Sequence, residues 1–140
     1  MKIDIEKYLF NQAVTYLGKY PATKNKIKDY IKKKILNKKT YQKAILPKNL
    51  NKEDLVNDIV SKLDDLNIIN EDHYLESLFH YYQQSLFSIK KIKNKLFQKG
   101  FDQSVIDEYI IIKLQEDPDL ETNILKKYIQ KKKNWKFRIR

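Results

Sequence analysis

The sequence predicts an all-α fold made of tandem three-helix repeats, stacked into an elongated, slightly curved array. Three observations carry this expectation. Only two glycines and three prolines occur in 140 residues, while Leu, Ile and Lys abound, which favours helix over sheet. Apolar residues recur at intervals of three and four along most of the chain. The stretch 87–100, FSIKKIKNKLFQKG, also repeats the stretch 22–35, ATKNKIKDYIKKKI, at a spacing of 65 residues. Thr23 falls on Ser88, Lys26 on Lys91, Ile27 on Ile92, Lys28 on Lys93, Ile31 on Leu96 and Lys34 on Lys99, with Tyr16 on Tyr81 upstream. Such self-similarity sets the architecture, because one small unit is used more than once.

The elements follow in order. A first helix over about 4–19 carries Ile5, Tyr8, Leu9, Ala13, Tyr16, Leu17 and Tyr20 on one face and stops at Pro21. Thr23 caps a second helix that buries Ile27, Tyr30, Ile31 and Ile35 and fills most other positions with lysine. Residues 37–50, with Pro47 inside, read as a loop. A third helix opens near Asn51, has Glu53 and Asp54 in its first turn where acids suit the helix dipole, and buries Leu55, Val56, Ile59, Val60 and Leu63.

Asn70 caps the next helix, which presents Tyr74, Leu75, Leu78, Phe79 and Tyr82. Ser88 caps a helix burying Ile89, Ile92, Leu96 and Phe97, and Gly100 stands where a C′ glycine belongs. The helix from about 102 to 114 buries Val105, Ile106, Tyr109, Ile110 and Ile112. After Asp117-Pro118-Asp119 a last helix carries Ile124, Leu125, Tyr128 and Ile129, and a basic tail, KKKNWKFRIR, follows. The expected organisation is a first repeat over 1–66 with its long loop, a second over 67–117, and over 118–140 the first helix of a third repeat plus the tail. Units of roughly 50 residues bury small cores and are marginal without neighbours.

Charge is distributed in blocks. Residues 1–50 hold 13 basic and 3 acidic side chains, residues 51–85 hold 2 and 8, residues 86–101 hold 5 and 0, residues 102–122 hold 1 and 7, and residues 123–140 hold 8 and 0. The total is +11, from 27 lysines, Arg138 and Arg140 against 18 acids. AT-rich coding accounts for lysine in place of arginine, and for the company of Asn, Ile and Tyr, but not for the net charge. Alternation of this kind also arises from solvated helix faces. The coincidence of basic blocks with the repeated helix instead predicts a basic stripe facing an anionic partner. The candidate binding residues are Lys24, Lys28 and Lys32, then Lys90, Lys91, Lys93 and Lys95, then Lys131, Lys132, Lys133, Trp135 and Arg138. Tyr20, Tyr41, Tyr81 and Trp135 are the aromatic residues expected to be exposed, whereas Tyr8, Tyr16, Tyr30, Tyr74 and Tyr109 lie on apolar faces.

Other chemistries find little support. With no cysteine, disulfides and thiolate chemistry are excluded, which fits a reducing compartment. His73 and His80 are seven apart and make a poor zinc site. Asp64-Asp65 and Glu71-Asp72 read as a helix end and a helix start rather than as metal ligands. Gly18 and Gly100 are too few for a phosphate-cradling loop, and no nucleophile–base pair is present. The N-terminus lacks a signal-peptide core, and no window reaches the ~18–20 apolar residues that span a bilayer. The expectation is a cytoplasmic, monomeric binding protein with no catalytic residues, no cofactor, no metal and no membrane association.

The order of these segments resembles the RecX regulatory proteins. AVTYLGKYPATKNKIKDYIKKK looks like that family's opening, where an Ala-x-x-Tyr-Leu helix leads through a Ser or Thr cap into a basic helix. LVNDIVSKLDDLNIINEDHYLESLFHYY is similar to its central turn, with Leu66, Ile68, Ile69, Asn70, Glu71, Asp72 and Tyr74 in the pattern. KIKNKLFQKGFDQSVIDEYI is similar to its Ile-x-x-x-Leu-x-x-Lys-Gly-Ile segment and the helix after it, at Ile92, Leu96, Lys99, Gly100 and Phe101, and KKYIQKKKNWKFR looks like the start of a third repeat. The resemblance spans nearly the whole chain through individually loose motifs. Asn67-Ile68 replaces the family's Gly-Tyr, and the third repeat stops after about one helix. The resemblance implies an all-helical regulator of RecA, active in recombination and repair. Such a protein binds along the RecA–DNA filament, suppresses its ATPase and strand exchange, and in some cases binds single-stranded DNA directly. Two other readings of the residues stay open: a sequence-tolerant DNA- or RNA-binding helical protein without a specific protein target, and a partner-binding adaptor whose charge is solvation.

Overall fold

The structure, a computed structural model, describes the backbone of residues 2–139 and the side chains of residues 2–133. The fold is all-α. In order, the described elements are β1 (Ile3–Asp4), α1 (Ile5–Lys19), α2 (Lys24–Ile35), α3 (Lys38–Lys43), β2 (Ala44–Ile45), α4 (Lys52–Asp65), α5 (Glu71–Gln84), α6 (Ile89–Gln98), α7 (Gln103–Glu116) and α8 (Leu120–Ile139). The chain divides into two compact units after Tyr74, inside α5.

In the first unit α1, α2 and α4 pack against one another around a single core. Each presents a 3.6-period apolar stripe: Ile5, Leu9 and Ala13 from α1, Ile27, Ile31 and Ile35 from α2, and Val56, Ile59 and Leu63 from α4, all buried. Burying one such side chain contributes about 1.5–3 kcal/mol relative to leaving it exposed. The caps are local. Thr23 accepts the Lys26 N–H, and Asn51 accepts the N–H groups of Glu53 and Asp54. After α4 the chain turns through a Schellman motif, in which the Asn67 N–H donates to the Asp64 carbonyl, the Ile68 N–H donates to the Leu63 carbonyl, and Asn67 takes φ 57°. Ile69 then returns to the core.

In the second unit α6 packs on α7, and the Phe79 ring of α5 meets the edge of Tyr109 on α7 with centroids 5.3 Å apart. The buried residues are Leu75, Phe79 and Tyr82 of α5, Ile89, Ile92 and Leu96 of α6, Ile106 and Ile110 of α7, and Leu120 and Ile124 of α8, with Phe101 between α6 and α7. Two more Schellman motifs close α5 and α6. After α6 the positive φ of 99° falls on Gly100, as expected from its lack of a Cβ. After α5 a φ of 62° falls on Leu86, a side chain for which the left-handed region costs about 1–2 kcal/mol. The Leu86 N–H donates to Gln83, the Phe87 N–H donates to Tyr82, and the Phe87 and Tyr82 rings stack at 5.7 Å.

Several expectations change. Residues 37–50 are not one loop: α3 and β2 form within them. Asn37 caps α3, the Thr40 hydroxyl donates to the Lys34 carbonyl, and β2 pairs in parallel with β1, Ala44 opposite Ile3 and Ile45 opposite Asp4. Phe97 is 60% exposed and Ile112 45% exposed, because Leu96 and Ile110 already occupy the inward face of their turns. Leu125, Tyr128 and Ile129 of α8 are also exposed, and among the described side chains of that helix Leu120 and Ile124 are buried. The C-terminal basic segment, expected as a tail, continues α8 to Ile139.

Candidate functional site

The repeated basic helix is built the same way in each unit. Thr23 and Ser88 cap α2 and α6 by accepting the N–H groups of Lys26 and Lys91. Behind each cap, Ile27 and Ile31 in α2 and Ile92 and Leu96 in α6 are fully buried. Lysines fill most remaining positions, with Asp29 the lone acid of α2 and none in α6. Like charges at i,i+4, such as Lys28 with Lys32 and Lys91 with Lys95, each cost a few tenths of a kcal/mol unless an anion lies against them.

The candidate lysines do not all keep that charge free. Lys24 pairs with Asp64 at 3.1 Å, and Lys93 reaches Asp107 of α7 at 3.8 Å. Each pair lies within a single unit and is partly exposed. The Lys91 ammonium sits 3.9 Å above the Phe87 ring, and that of Lys132 lies 5.5 Å from the centre of the Tyr128 ring. Among the described residues, Lys28, Lys32, Lys90, Lys95, Lys131 and Lys133 form no ion pair, and Lys32, Lys90, Lys131 and Lys133 are exposed. The side chains of Trp135 and Arg138 lie outside the described residues. Tyr20, Tyr41 and Tyr81 are exposed as expected.

Sequence reading missed the acid at the N-terminus of α2. Its first turn holds no acidic residue, yet the Glu71 carboxylate accepts the Lys24 N–H from 47 positions away. An anion there complements the helix dipole. The hydrogen bond to Asp64 holds the Lys24 ammonium above its ordinary value of 10.5. Burial raises the phenols of Tyr30, Tyr82 and Tyr109 above 10.0. The Tyr109 hydroxyl is buried with no hydrogen-bond partner among the described residues. All four groups bind protons more tightly folded than unfolded. Their contribution to stability is therefore fully present below pH 10.0 and is lost as the pH climbs through their raised folded values. Thermal unfolding followed by circular dichroism is expected to give a midpoint that falls from about pH 10 upward, and to fall less steeply in a Tyr30→Phe, Tyr82→Phe, Tyr109→Phe variant.

His73 and His80 are exposed, and no group of three or more His, Asp or Glu among the described residues could hold a metal ion. No helix of the described residues is long and apolar enough to cross a membrane. No family model, curated protein or solved structure matches the chain.

Proposed function

We propose that the protein is a non-enzymatic, cytoplasmic regulator of RecA that binds the RecA–DNA filament and inhibits its ATPase and recombination activity. One observation carries the reading. The same device, a hydroxyl cap followed by two buried aliphatic residues and a lysine-rich outer face, stands on α2 and again on α6. Lys28, Lys32, Lys90 and Lys95, which form no ion pair among the described residues, suit a long anionic surface with repeating geometry, and the order of the motifs resembles the RecX proteins. A second reading, sequence-tolerant nucleic-acid binding, is favoured by the exposure of Tyr20 and Tyr81, whose rings are accessible to bases.

Co-sedimentation separates the two. The protein is expected to pellet with RecA filaments on single-stranded DNA at salt concentrations that already release it from the DNA alone. Equal retention on DNA with and without RecA would favour the nucleic-acid reading.

A further inference from the structure

We propose a second binding surface in the second unit: a groove between the α5–α6 turn and α8 that takes an acidic, amphipathic peptide segment. It does not depend on the filament reading, and loss of that reading would leave it standing. The groove encloses about 550 Å³, and its apolar wall is formed by Leu86, Phe87, Ile89, Leu125 and Tyr128. A smaller hollow of about 250 Å³ shares Leu86 and Tyr128 with it and is edged by Lys131 and Lys132.

Charge complementarity identifies the occupant. Lys91 stands at the groove and Lys131 and Lys132 at the adjoining hollow, with Glu121 the one acid lining either among the described residues. Two of these ammonium groups rest on aromatic rings, Lys91 on Phe87 and Lys132 on Tyr128. An aromatic ring holds a cation in place without neutralising it, so both remain able to meet a carboxylate. An apolar cleft bordered by cations suits a helix with aliphatic anchors at i, i+3, i+4 and i+7 and glutamates or aspartates on its flanks. Nucleic acid fits less well. Of the two rings that line the groove, Phe87 is already engaged by Tyr82 and Lys91, and Tyr128 carries the Lys132 ammonium.

Leu86 gives independent support. Of the three helix C′ positions with positive φ among the described residues, Asn67, Leu86 and Gly100, only Leu86 carries a branched aliphatic side chain, and Leu86 lines both hollows. Strain kept at one residue marks a place where the side chain is worth more than the backbone it distorts.

The test uses the full chain and a fluorescein-labelled amphipathic peptide, leucine at the anchor positions and glutamate elsewhere, followed by fluorescence anisotropy. Saturable binding is expected. Leu86→Gly is expected to weaken it about tenfold while leaving the thermal midpoint equal or higher, and Leu125→Asp, at an exposed position, is expected to weaken it at least as much. A peptide with lysine in place of glutamate should not bind. The proposal is overturned by absent or non-saturable binding, by equal binding of the lysine peptide, or by unchanged affinity in both variants. It is also overturned if a single-stranded oligonucleotide displaces the peptide and itself binds Leu86→Gly more weakly, which would assign the groove to nucleic acid.

Discussion

Replacing Ile31 by alanine is expected to destabilise the first unit by about 2–5 kcal/mol, the range for removing a buried isoleucine and leaving a cavity. Ile31 is 0% exposed in α2, the helix that packs on both α1 and α4, so neither neighbour can close the gap without leaving the other. A unit of this size has a total stability on the order of 5–10 kcal/mol. The loss should lower the midpoint by roughly 8–40 °C. The contrast is Phe97→Ala. Phe97 also lies on a basic helix and was expected in the core, but it is 60% exposed, and its replacement should cost no more than about 0.5 kcal/mol. Paired thermal melts by circular dichroism check both values. Equal losses would mean that the inward face of α6 is misassigned.

The second large effect is on binding. Lys28, Lys32, Lys90 and Lys95 form no ion pair among the described residues, whereas Lys24 and Lys93 do. Changing those four to glutamine is expected to weaken filament binding on the order of tenfold or more. It should also flatten the dependence of log K on log salt for single-stranded DNA by about 3, at roughly 0.7 per lost phosphate contact. Folding stability should stay within about 0.5 kcal/mol of wild type, since glutamine keeps much of each aliphatic stem. Changing Lys24 and Lys93 instead should leave the salt slope nearly unchanged, because each already has a carboxylate partner. Titrations at several salt concentrations decide between them. Full retention of binding in the four-fold variant would make both helices ordinary solvated faces.

Much of the fold is legible because it is local. The Thr23 and Ser88 caps, the buried pairs Ile27 with Ile31 and Ile92 with Leu96, and the turn at Gly100 are all set by residues within one or two helical turns. Non-local features are not legible. The pairing of Ile3 with Ala44 and the Glu71 carboxylate at the start of α2 join positions more than 40 residues apart, and no periodicity encodes them. The face of α7 is ambiguous for another reason. Ile110, Ile111 and Ile112 are consecutive and apolar, so composition cannot say that Ile110 is buried while Ile111 and Ile112 are exposed. For the candidate binding residues, sequence spacing finds the lysines but not their partners. The ion pairs of Lys24 with Asp64 and of Lys93 with Asp107 form only once the helices are packed. Leu86 gives no sequence signal at all, since leucine is a poor marker of a left-handed turn.

The most direct measurement is the ATPase rate of RecA on single-stranded DNA, with and without the full chain added at substoichiometric amounts. A regulator that lies along the filament is expected to depress the rate below equimolar protein, because one bound molecule affects several RecA subunits. An unchanged rate at equimolar protein and low salt would contradict the proposed function and leave the lysines of α2 and α6 to a nucleic-acid or other anionic partner.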